Sequence, residues 1–287
     1  MKPPAEMSGQ HQAARQQSRA DWGAVAHGWY AQREALWKAS RPVSEWMVRR
    51  LDSQQGDTVL ELAAGLADTG LMAAGLVGES GRVIVTDFTP EMVAAARRRA
   101  EELGVQNAEF RVLDGERMDL QTDSVDGVLC RWAYMLMIDP TAAFAETRRV
   151  LRLGGRLAFS VWAARERNPA LSLVGGVLAS QGHIPPPDPE GPSAFAMANP
   201  GHIRELVVGT GFAEPEIEEV SFRWPFADKD AYWRYVTETA ASASPVLRAL
   251  PPEVQNKVRE QVHEAARPFQ SGEGYNFPAV CLNVLTH

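Results

Sequence analysis

Between Val59 and Trp162 the chain alternates short apolar, β-branched runs with longer amphipathic stretches, the pattern of a mostly parallel sheet with helices on both faces. Strands are predicted over residues 58–62, 82–86, 108–113, 126–131 and 156–162, each flanked by turn residues. A helix is predicted over Pro90–Leu103, where Thr89 can cap the start, Pro90 suits the first turn and Gly104 can close the end. In the next helix Ala143, Phe144, Thr147, Val150 and Leu151 share one face, and Gly154-Gly155 is expected to end it.

Two regions read as additions to this α/β core. Residues 163–200 contain Pro185-Pro186-Pro187 and Pro189-Glu190-Gly191-Pro192, so they are expected to be largely irregular. Residues 228–269 carry Tyr232, Tyr235 and Val236, then Val254, Val258 and Val262, at helical spacing. This helical cap insertion lies between strands predicted over 216–224 and 275–285. The C-terminal part of the core, 201–287, therefore gives the sheet an antiparallel edge strand, for seven strands in all. Residues 1–19 are expected to form a flexible tail.

Composition narrows the function. The chain has 287 residues, 45% of them hydrophobic, and a formal net charge of −7, so it lacks the basic field that holds a nucleic-acid backbone. Cys130 and Cys281 lie in apolar runs with no metal-ligand spacing, which predicts two buried, reduced thiols and no metal site. No signal-type N-terminus and no run of about 20 apolar residues is present, so a cytoplasmic protein without a membrane span is expected.

The informative segment runs from Val59 through Glu61, Ala63 and Gly65 to Gly70: a strand, a turn of small residues and a helix. Such a turn lets backbone amides approach a ligand closely. The next strand ends at Asp87, about 20 residues past Gly65, the distance at which a carboxylate meets ribose hydroxyls in nucleotide-binding α/β folds. The third strand ends in Leu113-Asp114-Gly115-Glu116, a further acid at the same edge.

These segments, with Thr86-Asp87-Phe88-Thr89-Pro90-Glu91-Met92 and the run from Arg148 to Leu157, resemble in order and spacing the class I methyltransferase core. The likeness is to the branch holding the ubiquinone and menaquinone C-methyltransferases and many natural-product methyltransferases. The resemblance implies a doubly wound, Rossmann-like core over 57–162 that binds S-adenosylmethionine and releases S-adenosylhomocysteine. It implies that Glu61 orients the first loop and that Ala63 and Gly65 meet the methionine part. Asp87 then takes the ribose, Phe88 and Met92 pack on adenine, Asp114 and the Gly115 amide meet its edge, and Arg131 lies near the methionine moiety. This chain has Ala63 and Ala67 where the family usually has glycine.

The resemblance further implies that N-terminal helices over 20–56 form a lid, with Trp22, Trp29 and Tyr30 as its aromatic face. A pocket built from this lid, the Pro-rich insertion and the Tyr- and Val-bearing block would be large and apolar, so the expected partner is a small, largely apolar acceptor: aromatic, quinone-like or a polyketide-like natural product. Methyl transfer is an in-line displacement, and a base is needed only if the nucleophile must lose a proton. His27, Tyr30 and Tyr134 are candidates for that role by location. A nicotinamide-dependent oxidoreductase and a non-catalytic cofactor-binding module are the competing readings, and a homodimer is left open.

Overall fold

The computed structural model describes residues 9–185 and 191–287. Its centre is the predicted parallel sheet: β1 (Thr58–Glu61), β2 (Arg82–Asp87), β3 (Ala108–Val112), β4 (Val125–Arg131) and β5 (Leu151–Trp162). β6 (Glu216–Phe226), the two-residue β7 (Gln270–Ser271) and β8 (Gly274–Thr286) complete it. The order is β3-β2-β1-β4-β5-β8-β6, with β7 paired to β8. β8 runs antiparallel to both β5 and β6. It therefore lies inside the sheet, and the edge strand is β6. β1 and most of β4 are buried along their length, as central strands covered on both faces must be.

Helices α1 (Gly9–Ala31), α2 (Arg33–Leu51), α3 (Asp68–Val77), α4 (Pro90–Leu103) and α5 (Pro140–Val150) accompany the parallel half. α4 follows its sequence signals closely: the Thr89 hydroxyl accepts from the Met92 amide, and Gly104 closes the helix in left-handed backbone. α6 (Pro169–Ser180), α7 (Pro200–Gly209), α8 (Lys229–Thr239), α9 (Ser244–Ala249) and α10 (Pro252–Ala266) follow, the last three lying between β6 and β8, where helices are expected.

Four expectations need correction. α1 is helical from Gly9, so a tail reaching residue 19 is wrong for its described part; residues 1–8 lie outside the described residues. α2 is no lid, because its stripe of Leu36, Ala39, Val43, Met47, Val48 and Leu51 is buried in the main core. The stretch 163–200 is not irregular throughout: α6 interrupts it and buries Ala170, Val174 and Leu178 on one face, while residues 181–185 and 191–199 are turns and irregular chain. Residues 186–190, with most of the proline cluster, are outside the described residues. Finally, Gly154-Gly155 does not end α5, which stops at Val150. Leu151 already pairs with Val125, and the glycines sit in β5 where its register with β4 shifts.

Candidate functional site

The C-terminal ends of the first four strands open onto one cavity. This is where open α/β sheets bind ligands, beside the reversal of strand order, here between β1 and β4.

The turn after β1 supplies the first wall through Ala63, Ala64 and Gly65. Ala63 (φ 48°), Gly65 (φ 55°) and Ala67 (φ 63°) all take left-handed backbone. Glycine adopts it freely, whereas each alanine bears a cost of about 1 kcal/mol. The turn carries the Gly65 amide to Asp87, 3.1 Å from Oδ2. Beneath it, outside the cavity, Glu61 is buried with Oε2 lacking a hydrogen-bond partner. Burial pushes its carboxyl up to about 8, against the pull of Arg131 and of the Gly70 amide. α3 lies so close that a Cβ on Gly70 would stand 2.3 Å from that oxygen.

Asp87 ends β2 on the cavity wall, buried, with Oδ1 accepting from both the amide and the hydroxyl of Thr89 at 3.0 Å. Burial raises its pKa, and the Thr89 and Gly65 donors oppose that shift. Phe88 and Met92 line the cavity beside it.

After β3, Asp114 is half-buried and its Oδ1 accepts from the Glu116 amide at 2.9 Å. Its Oδ2 accepts from Arg15 of α1, which also donates to Glu116. Burial raises the Asp114 pKa and the Arg15 charge opposes it. Glu116 is buried and ties two loops together, accepting from the amides of Ile138 at 2.9 Å and Asp139 at 3.0 Å. Gly115 completes this wall.

β4 delivers Arg131, which donates to the Ser40 hydroxyl and lies 4.9 Å from the centre of the Trp132 ring. Trp132 has φ 61°, an outlier for so large a residue. Its ring stacks at 4.1 Å on Trp162, and Nε1 donates to the Cys281 sulfur at 3.1 Å, so packing holds the strained backbone. Over the cavity, α1 presents Trp22 and Trp29, ring centres 5.9 Å apart.

Of the residues singled out from the sequence, Trp22, Trp29, Ala63, Gly65, Asp87, Phe88, Met92, Asp114, Gly115 and Arg131 line this cavity, and Glu61 lies beneath it. The three candidate bases do not line it. His27 is exposed on α1. Tyr30 turns away to Glu102 and lies under the guanidiniums of Arg33 and Arg98, which also removes it from the aromatic lid face. Tyr134 is fully buried, stacked on Phe144 at 4.1 Å and bonded to Thr147 at 2.7 Å, a core residue. Sequence reasoning missed Arg15, Glu116 and Trp132. Glu116 was visible in the motif, two residues beyond Asp114, the spacing of an acid that can close its own turn.

Residues 53–175 match a family described as a methyltransferase domain. Over 105 residues the chain is 37% identical to the arsenite methyltransferase of Halobacterium salinarum, which covers 37% of this chain and 27% of that protein. Over 124 residues it is 35% identical to the ubiquinone/menaquinone biosynthesis C-methyltransferase of Acidiphilium cryptum, covering 42% of this chain and 46% of that one. It thus spans less than half the length of either relative. Among solved structures, the YcgJ protein of Bacillus subtilis shares the fold, with a TM-score of 0.58 at 20% identity over 85% of this chain and 97% of that chain.

Proposed function

We propose that this chain, which carries a class I methyltransferase domain, moves a methyl group from S-adenosylmethionine to a small, largely apolar acceptor. One observation carries the reading: three successive strand ends aim the Ala63–Gly65 turn, Asp87 and Asp114 into a single cavity under two tryptophans. The donor set suits that nucleoside. Asp87 is a buried acceptor for a ribose diol, and Asp114 is an acceptor for an exocyclic amine. Phe88 and Met92 give apolar faces for a base, and Arg131 a cation for a carboxylate. When bound, the cofactor supplies the electrophilic methyl on a positively charged sulfur.

The chain's own residues then have two tasks. Trp22 and Trp29 of α1 exclude water, and the rigid strand ends hold the reactants in line. The ionisable cavity residues among those described are Arg15, Asp87, Asp114, Glu116 and Arg131; none is His, Tyr, Cys or Lys. With the carboxylates engaged as described, the described residues of the lining offer no free base. This favours an acceptor that is nucleophilic unaided, such as an acidic phenol or the activated ring carbon beside one.

Trp132, Leu136 and Met137 add apolar lining, which favours an aromatic or quinone-like acceptor, as does similarity to the ubiquinone/menaquinone methyltransferase. An arsenite acceptor is disfavoured, because a soft metalloid seeks thiolates and both cysteines are buried away from the cavity lining. The antiparallel β8 argues against a dinucleotide dehydrogenase, whose second half repeats the parallel βαβ unit. Labelled methyl donor offered to a panel of phenols and quinols, with protein, RNA and arsenite as other arms, tests the reading. Transfer to an apolar aromatic compound is expected, and transfer confined to the other arms contradicts it.

A further inference from the structure

The first three turns of α1 touch the rest of the molecule in a specific way. Among residues 11–20 only Arg15 and Ser18 are partly buried, and with Trp22 and Trp29 they form one stripe over the cavity, at spacings of three, four and seven. The second half of α1 is anchored elsewhere. Val25 and Ala26 pack with Met92 and Ala241 in a small cluster apart from the main core, and the Trp29 ring nitrogen donates to the Thr239 carbonyl at 2.9 Å. Gly28 lies so close to α8 that a Cβ there would overlap the Glu238 carbonyl. Among the described residues the first half has no such apolar anchor; it is held by the Arg15 guanidinium on Asp114 and Glu116.

We propose that Arg15 is an electrostatic latch that holds the amino-terminal half of α1 over the cavity and gates passage of the cofactor. This rests on the methyltransferase reading only for the identity of the ligand. Glu116 is held from below by the Ile138 and Asp139 amides, so it is the fixed half of the catch. Asp114 is the shared half: Oδ2 accepts from Arg15, and this is the carboxylate proposed to receive the base. Base and guanidinium thus meet on one acid, and docking of the base loosens the latch as the Trp22 and Trp29 rings close on the ligand.

The test compares the full chain with Arg15→Gln, and with Arg82→Gln as a control that removes the same charge from an exposed site on β2, away from Asp114. Hydrogen exchange of amides 11–21 is followed in the absence of ligand, and the association and dissociation rates of S-adenosylhomocysteine by tryptophan fluorescence. Arg15→Gln is expected to speed exchange of that segment, and both rates, by roughly tenfold, the worth of a charge-assisted pair. High salt should do the same to the parent chain and little more to Arg15→Gln. Unchanged exchange in Arg15→Gln overturns the latch, and faster exchange with unchanged ligand rates overturns the gate. Absence of nucleoside binding by every chain instead overturns the methyltransferase reading, and the exchange result still decides the latch.

Discussion

At the scale of single residues, the buried Glu61 sets a measurable pH response. Burial holds its folded-state pKa near 8 against an ordinary 4.5, so between those values the folded protein keeps a proton that the unfolded chain releases. The stabilisation is complete below about pH 4.5 and is lost as pH rises through about 8, at no more than about 1.4 kcal/mol per pH unit. Glu61→Gln, which mimics the neutral form, should flatten the pH dependence of urea unfolding across this window; an unaltered slope contradicts the assignment. Gly70→Ala, which drives a methyl against Glu61 Oε2, should destabilise by about 1–3 kcal/mol in the same assay. Tyr134→Phe should cost about 1 kcal/mol through its lost Thr147 bond while leaving nucleoside affinity unchanged, as befits a core residue. Asp87 and Asp114 were legible because strand ends and turn acids have a fixed sequence spacing. Which way Tyr30 and Tyr134 point was not, since that depends on Glu102 and Phe144, residues that only the fold brings beside them.

At the scale of elements, regular signals were readable where one cause dominates. α4 has a cap residue, a proline and a closing glycine in agreement, and it appears as predicted. α6 was not expected, because the prolines that follow it dominate the composition of 163–200; its Leu171, Val174 and Leu178 lie at helical spacing, and burial of Val174 and Leu178 decides for a helix. α1 showed no apolar stripe in its first half because ion pairs, not hydrophobic contact, dock it. Charge pairs between residues a hundred positions apart leave no local pattern. The β1 turn is strained by alanines that sequence spacing alone could only flag. Ala63→Gly, at φ 48° in a half-buried position, should therefore stabilise the protein by up to about 1 kcal/mol in thermal unfolding, whereas the fully buried Ala67 has a packed methyl to lose.

At the scale of the whole molecule, the strand order, with β8 antiparallel between β5 and β6, brings four strand ends to one cavity and leaves α1 to cover it. The sheet could be anticipated from alternation and turns, and a cover bearing Trp22 and Trp29 from the family resemblance; the docking of the first half of α1 could not, because it rests on Arg15 ion pairs to residues distant in sequence. A ligand filling this cavity binds only the folded state, so S-adenosylhomocysteine at about 100 times its dissociation constant should add about 2.7 kcal/mol to stability. Calorimetric titration of the chain and of Asp87→Asn with S-adenosylmethionine, S-adenosylhomocysteine and a nicotinamide dinucleotide tests the central claim most directly. Uptake of both sulfur nucleosides, weakened roughly 10- to 100-fold in a folded Asp87→Asn, is the expected result. A chain that ignores both nucleosides and takes up the dinucleotide contradicts it.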